Sequence, residues 1–211
     1  MKKLALLGAT GQTGSQFLQQ AIEKGYTVRC LVRDPSKLKT QHARVEVIQG
    51  DVLDYKAVQK LVTGVDVVVS LFGQVKGSPH NVQTEGTRHI LLAMEAAGVN
   101  RIISLSGGGL PFPEKDRPKF PDRMIRRIME WFVPHVLKDA EGHAQLLRES
   151  RLKWSIARGP RLTNGPHTGQ YRVGWVGVNS GMSLSRADLA EFILKEVEEE
   201  RFNYQMPFVS Y

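Results

Sequence analysis

Cysteine is nearly absent from this chain. Cys30 stands alone among 211 residues, so no internal disulfide and no dithiol redox pair can form. It lies within the apolar run from Thr27 to Val32, which points to a buried, inert thiol. Long hydrophobic runs are missing too. Leu4-Ala5-Leu6-Leu7, after Met1-Lys2-Lys3, is too short for a signal-peptide core, and no later stretch reaches the ~20 residues of a membrane span. A cytoplasmic protein without integral membrane contact is expected. The six histidines show no His-Glu-x-x-His spacing, so no metal is expected, and His135 and His143 are read as helix-surface residues. The serines form no nucleophile elbow. None of the five tyrosines has a lysine four residues on, which removes the usual acid/base pair of alcohol and sugar oxidoreduction.

Acidic residues are the scarcer charged class, with 21 Asp and Glu against 29 Lys and Arg, for a net charge of +8. Nucleic acid, an anionic membrane surface and a polyanionic small ligand all fit that excess. No recognition-helix, RRM or zinc-finger pattern accompanies the basic residues, so nucleic acid is not expected. At this length one domain spanning residues 1–211 is expected, and 41% hydrophobic residues supply a core.

The first half alternates short apolar runs with amphipathic stretches, the mark of βαβ units feeding a parallel sheet. Strands are predicted at Lys3 to Leu7, Thr27 to Val32, Arg44 to Ile48, Val65 to Ser70 and Arg101 to Leu105. Helices are predicted at Gln12 to Lys24, Tyr55 to Leu61 and Val82 to Ala97, with Gly25 and Gly98 as C-terminal caps. The fold class is therefore α/β, a Rossmann-type doubly wound parallel sheet with helices on both faces, the C-terminal segments forming the substrate side. The second half is less regular. Leu110 to Phe120 reads as a surface loop, and Asp122 to Ser150 as a helical stretch that Pro134 kinks or breaks. Lys153 to Ala157 reads as a strand, Arg158 to Gly169 as a loop, Tyr171 to Val178 as a strand or hairpin arm, and Ser185 as a cap opening a helix that ends near Glu200. Tyr204 to Val209 reads as an edge strand. Within the variable region Pro111 to Leu137, Met124, Ile125, Ile128, Met129, Trp131, Phe132 and Val136 stand beside Arg123, Arg126 and Arg127. Packing on the sheet is the plainest reading. A lid over the substrate, a dimer contact and a membrane-surface face remain open.

The most specific signal is Gly8-Ala9-Thr10-Gly11-Gln12-Thr13-Gly14, set between the first strand and the first helix. A tight turn, close backbone approach to a pyrophosphate and helix–strand packing each ask for glycine, and the helix N-terminus then holds the phosphates. Gly8, Thr10, Gly11, Gln12, Thr13 and Gly14 are thus candidate dinucleotide-binding residues. At the end of the second strand, where an NAD site places a carboxylate, stands Arg33, whose planar fork of donors suits a 2′-phosphate; Lys37 adds a second positive charge. NADP(H) is favoured over NAD(H), although the adjacent Asp34 could serve the ribose instead. Asp51 and Val52 fall where an adenine would lie, with Asp51 equally suited to cap the next helix. Leu71, Phe72 and Gly73 end the fourth strand at the carboxyl edge of the sheet, and Ser106, at the end of the fifth, offers a hydroxyl to substrate or nicotinamide ribose.

These residues, GATGQTG at Gly8 to Gly14, LVRD at Leu31 to Asp34, GDVLD at Gly50 to Asp54, Glu85-Gly86-Thr87-Arg88, and LLRESRLKW at Leu146 to Trp154, resemble the NAD(P)-binding, NmrA-like atypical short-chain dehydrogenase/reductases. Within them the likeness is greatest to the flavin reductase/biliverdin-IXβ reductase group. The resemblance covers nearly the whole chain. It implies a seven- or eight-stranded Rossmann sheet and NADPH-dependent hydride transfer to a flavin, quinone or linear tetrapyrrole. By the same resemblance Pro160, Arg161 and Leu162 lie beside the nicotinamide. The group's serine falls on Gly107, one step after Ser106, and its histidine position falls on Arg161, which cannot act as an acid near neutral pH but can hold an anionic substrate. Ser106 and Arg161 are the candidate catalytic residues. A monomer or weak homodimer is expected. The competing reading is a non-catalytic NmrA-like NADP(H) sensor that reports to a partner without turnover.

Overall fold

The computed structural model describes residues 2–211. Strands β1 (Lys3–Leu7), β2 (Thr27–Val32), β3 (Val45–Gln49), β4 (Val67–Ser70) and β5 (Arg101–Gly107) fall within two residues of their predicted limits. The intervening helices are α1 (Gln12–Glu23), α2 (Tyr55–Val62) and α3 (Val82–Ala97). Gly25 and Gly98 end α1 and α3 at φ +87° and +69°, the left-handed conformation that lets a terminal carbonyl find a partner without a Cβ clash. Then follow α4 (Phe120–Phe132), α5 (Pro134–Glu149), β6 (Lys153–Gly159), β7 (Arg161–Thr163), β8 (Arg172–Gly174), β9 (Ser183–Ser185), α6 (Arg186–Glu199) and β10 (Phe208–Ser210). Pro134 is the first residue of α5, where its missing N–H costs nothing, and the chain turns at Val133.

The main sheet has eight strands in the order β3-β2-β1-β4-β5-β6-β10-β8. All neighbours pair parallel except β8 with β10. Alternation along β1 divides the core: Leu4 and Leu6 pack with Phe17, Leu18 and Ala21 of α1 and Leu189 and Ile193 of α6, whereas Ala5 and Leu7 pack with residues of α2, α3 and α5. Helices thus cover both faces, as a sheet of nearly continuous apolar strands demands. The strand order reverses between β1 and β4, and the crevice at that reversal is where such sheets take ligands.

The C-terminal half departs from the sequence reading in four places. Phe208–Ser210 is not an edge strand. It inserts between β6 and β8, and its side chains are buried on both sides. The stretch read as a loop from Arg158 continues β6 through Gly159, and Arg161–Thr163 pairs with Ser183–Ser185 in a separate ribbon. The 110–120 segment is a loop, but a pinned one, with Leu110, Phe112 and Asp116 buried. Finally, α4 does not pack on the sheet. It rests against α5 with no buried residue.

His143 is the clearest reversal. It is fully buried, with Nε2 2.8 Å from Ser104 Oγ and Nδ1 facing Ala140 O. The signal was present, since Ala140, His143, Ala144 and Leu147 follow i, i+3, i+4, i+7 along the buried face of α5. Burial pushes its pKa from 6.5 down to about 4, against smaller opposing effects of Ala140 O and Asp139. The unfolded chain protonates here near pH 6.5 while the folded one resists. Stability is therefore full above pH 6.5, falls between pH 6.5 and 4, and levels off below. The slope is about 1.4 kcal/mol per pH unit. Thermal unfolding at pH 7 and pH 5 should show His143→Gln losing less stability over that interval than the native chain; an equal loss would refute the assignment.

Candidate functional site

The turn from β1 into α1 sits at the strand-order reversal. Gly8 takes φ +85°, and a Cβ there would stand 2.6 Å from the Leu71 carbonyl group. A Cβ on Gly14 would stand 2.0 Å from Gly8 O, so α1 lies against the turn only because residue 14 has no side chain. Gly11 differs. Its φ is an ordinary −76°, and its Cβ would meet only Gly8 O, at 3.1 Å. The chain's own packing asks least for glycine there, which fits close approach by a ligand. No side chain caps α1 and its first turn carries no acid, so the positive end of the helix faces the cleft uncompensated.

The cleft has a volume of about 180 Å³ and is walled by Gly8, Thr10 and Gly11 from the turn, Arg33 from β2, Asp51 and Val52 after β3, and Leu71 to Gly73 after β4. Gly86 of α3 shapes its far wall, since a Cβ there would come within 2.7 Å of both Phe72 and Val52. Those two side chains close over the helix at Gly86 and give this side of the cleft an apolar wall. Asp51 does not cap α2; that role belongs to Asp54, which accepts from the N–H groups of Lys56 and Ala57. Asp51 Oδ1 accepts from Leu53 N at 2.9 Å, and Oδ2 lies 3.9 Å from Arg33 Nε.

At the end of β2 the two candidates for the ribose part ways. Asp34 Oδ1 accepts from both the N–H and the hydroxyl of Ser36, capping the short 3-10 turn Pro35–Lys37. These hydrogen bonds, reinforced by Lys37 at 3.6 Å, hold its carboxyl below the usual carboxylate range. Arg33 is 64% exposed and carries only the long contact to Asp51. Its guanidinium is free to receive a ligand. Lys37 leans toward Asp34 and is not among the cleft residues, nor are Gln12, Thr13 and Gly14, which present backbone from the first turn of α1.

A second cavity, about 340 Å³, opens at the carboxyl ends of β5 and β6, on the same edge of the sheet. Gly107, Gly108, Gly109 and Gly159 form its floor, with Pro160, Arg161 and Phe208 beside them and Ile125, Arg126 and Met129 of α4 above. Arg126 fixes that roof by donating to Gly109 O, Glu130 and Glu141 at 2.8 to 2.9 Å. Ser106 is buried and its Oγ has no partner within the described residues. A strand-end serine bonded to its own backbone is thus not what the structure shows; the hydroxyl is unpaired but enclosed, and Ser106 lines neither cavity, the adjacent Gly107 doing so instead. Arg161 faces the second cavity, whereas Leu162 points into the core beneath it.

Two side-chain groups outside the cavities imitate catalytic sites. Tyr171 OH lies 3.3 Å from Lys195 Nζ, but burial raises the phenol pKa and Glu191 holds the lysine, so the pair lacks the depressed pKa that acid/base work requires. His167, Asp188 and Glu191 converge as metal ligands do. Asp188, however, already accepts from Thr168 N, Gly169 N, Thr168 Oγ1 and Tyr211 OH. Burial opposes the charge, yet these hydrogen bonds outweigh it and hold the carboxyl below its usual range. Asp188 is a latch for the loop before β8.

Fold and site together define a Rossmann domain built to bind a nicotinamide dinucleotide. The chain belongs to the NAD(P)H-binding family, whose model matches residues 8–200. It is 26% identical to YwnB of Bacillus subtilis, a protein described as uncharacterized, over 99% of this chain and 98% of that one. It is 28% identical to cinnamoyl-CoA reductase 1 of Petunia hybrida across 65% of this chain, but spans only 44% of that enzyme. In solved structures it resembles a short-chain dehydrogenase/reductase from Veillonella parvula in complex with NADP (TM-score 0.83, 20% identity, covering 100% of this chain and 94% of that one). It also resembles the anaerobillin reductase ChuY from Escherichia coli O157:H7 (TM-score 0.80, 20% identity, covering 99% and 96%). Among the described residues no helix is long and apolar enough to cross a membrane.

Proposed function

We propose that the protein is an NADPH-dependent reductase that passes hydride to a flat conjugated acceptor of the flavin, quinone or tetrapyrrole class. The observation that carries this reading is the composition of the second cavity. Its walls are glycine backbone and apolar side chains, and the ionisable groups lining it are Asp122, Arg126 and Arg161, with no tyrosine, histidine or lysine. Asp122 Oδ2 already accepts from Lys119 N. A carbonyl whose reduction leaves an alkoxide needs a protein acid; a quinone or flavin is electrophilic on its own and takes its proton from solvent. Arg161 would hold an anionic group of the acceptor. The glycine turn and α1 would hold the pyrophosphate, with Val52 and Phe72 flanking adenine. The nicotinamide supplies the hydride when bound; the groups around it orient the acceptor.

Titration with NADPH followed by a panel of FMN, menadione and biliverdin tests the proposal. Loss of NADPH absorbance with at least one acceptor supports it. Tight NADPH binding with no oxidation across the panel would replace it with the sensor reading. For the cofactor preference, Arg33→Ala should weaken NADPH by about 10- to 100-fold, the worth of charge-assisted hydrogen bonds, and leave NADH within about twofold. Equal weakening of both would show that Arg33 does not meet a 2′-phosphate.

A further inference from the structure

We propose that the outer face of α4 is a docking surface for an anionic lipid bilayer. Phe120, Met124, Ile128, Trp131 and Phe132 recur at i, i+4, i+8, i+11 and i+12 of this helix, which gathers them on one side. They are not core residues. Trp131 is 84% exposed, Phe132 77% and Phe120 74%. Half-buried positions in α4 are confined to Asp122, Arg126 and Met129, the side that roofs the acceptor cavity. The helix is therefore committed on its inner side and bare on its outer one.

Charge decides what covers it. Arg123 and Arg127 border the aromatic stripe, and among the described residues neither makes an ion pair. Exposed Lys119 stands at the head of the same helix. Aromatic and aliphatic side chains flanked by arginines, on a chain of net charge +8, match the interfacial helices that lie in the headgroup layer of acidic membranes. A second copy fits worse. A contact between two copies through this stripe would bring together two bodies of charge +8, each adding the unpaired Arg123 and Arg127 at its edge and, among the described residues, no acidic group there outside the Arg126 ion pairs to meet them. The helix is too short and too charged to span a bilayer, so the contact is one of lying on it. This inference does not depend on which acceptor the cavity takes.

The test uses the full chain with vesicles of equimolar phosphatidylcholine and phosphatidylglycerol and with vesicles of phosphatidylcholine alone. Co-sedimentation is expected with the first and not the second, and it should fade at high salt. Tryptophan emission should shift to the blue on binding, because Trp154 is buried and Trp175 half-buried while Trp131 is open to water. Trp131→Ala combined with Phe132→Ala should cut partitioning about tenfold or more, and Arg123→Gln with Arg127→Gln about tenfold on the anionic vesicles. NADPH affinity should stay unchanged in both variants, which confirms that they fold. No binding to anionic vesicles would overturn the proposal. So would undiminished binding in both variants, or a dimer in sedimentation equilibrium that Trp131→Ala splits.

Discussion

Asp116→Ala is expected to destabilise the fold by about 3–5 kcal/mol, the cost of leaving a buried charge without its partner. Arg158, in β6, is completely buried, and its two terminal nitrogens donate to the two oxygens of Asp116 at 2.8 Å. The remaining Arg158 donors reach Leu110 O and Met206 O. Asp116 in turn accepts from Phe112 N and Val176 N. The pair therefore ties the loop before α4 to the sheet and to the hairpin after β8, and it sets the height of the cavity roof. Removing the carboxylate strands the guanidinium in the interior and frees the loop. Denaturant unfolding measures this, and a loss below about 1 kcal/mol would show that water reaches Arg158 and solvates it. The double change Asp116→Leu with Arg158→Met should recover only part of the stability, because it removes the stranded charge but leaves Leu110 O, Met206 O, Phe112 N and Val176 N without their partners. It should not restore the loop's position, so binding of the proposed acceptor would remain weakened.

That ion pair also shows where sequence reading ends. Asp116 and Arg158 are separated by 42 residues, and nothing local at either position distinguishes a buried partner from a solvated charge. Arg158 looked like the first residue of a loop because the glycines and prolines after it are dense. In fact β6 runs on through it, aligned with Ser106 and Gly107 of β5. Strands β7, β8, β9 and β10 have three residues each, too few for any alternation to declare itself. Their places are assigned by neighbours far along the chain. The N-terminal half was legible because its signals are local: five-residue apolar runs, glycines at positive φ, and a turn whose spacing is tied to one geometry. The same holds for the site. Gly8, Gly11, Arg33 and Val52 come together because each ends or follows a strand at one edge of the sheet, which the strand order alone dictates. The roof of the second cavity was not legible, since the amphipathic pattern of α4 tells that one side is apolar but not that this side faces outward.

The glycine turn yields the sharpest remaining expectation, because two of its glycines serve different ends. Gly14→Ala sets a Cβ 2.0 Å from Gly8 O and 2.7 Å from Gly8 C, both backbone atoms with no rotamer to yield. Helix α1 must draw back, and Phe17 and Leu18, buried against the sheet, are drawn with it. Overpacking of this kind costs about 1–3 kcal/mol of stability. The larger effect falls on the cofactor. Each charge-assisted hydrogen bond from the helix N-terminus to a phosphate is worth about 1.5–3 kcal/mol, so losing two weakens NADPH and NADH alike by a hundredfold or more, in contrast to the selective loss expected at Arg33. Gly11→Ala separates the two roles. Its φ of −76° suits any residue, and the single close neighbour at 3.1 Å asks for a shift of a few tenths of an ångström. Its thermal midpoint should therefore stay near that of the native chain while dinucleotide affinity drops about tenfold or more, because the added methyl would stand where the proposed site takes the pyrophosphate. Native affinity in Gly11→Ala would mean that the phosphates lie elsewhere on the turn; a lowered midpoint with unchanged affinity would mean that Gly11, like Gly14, serves the fold.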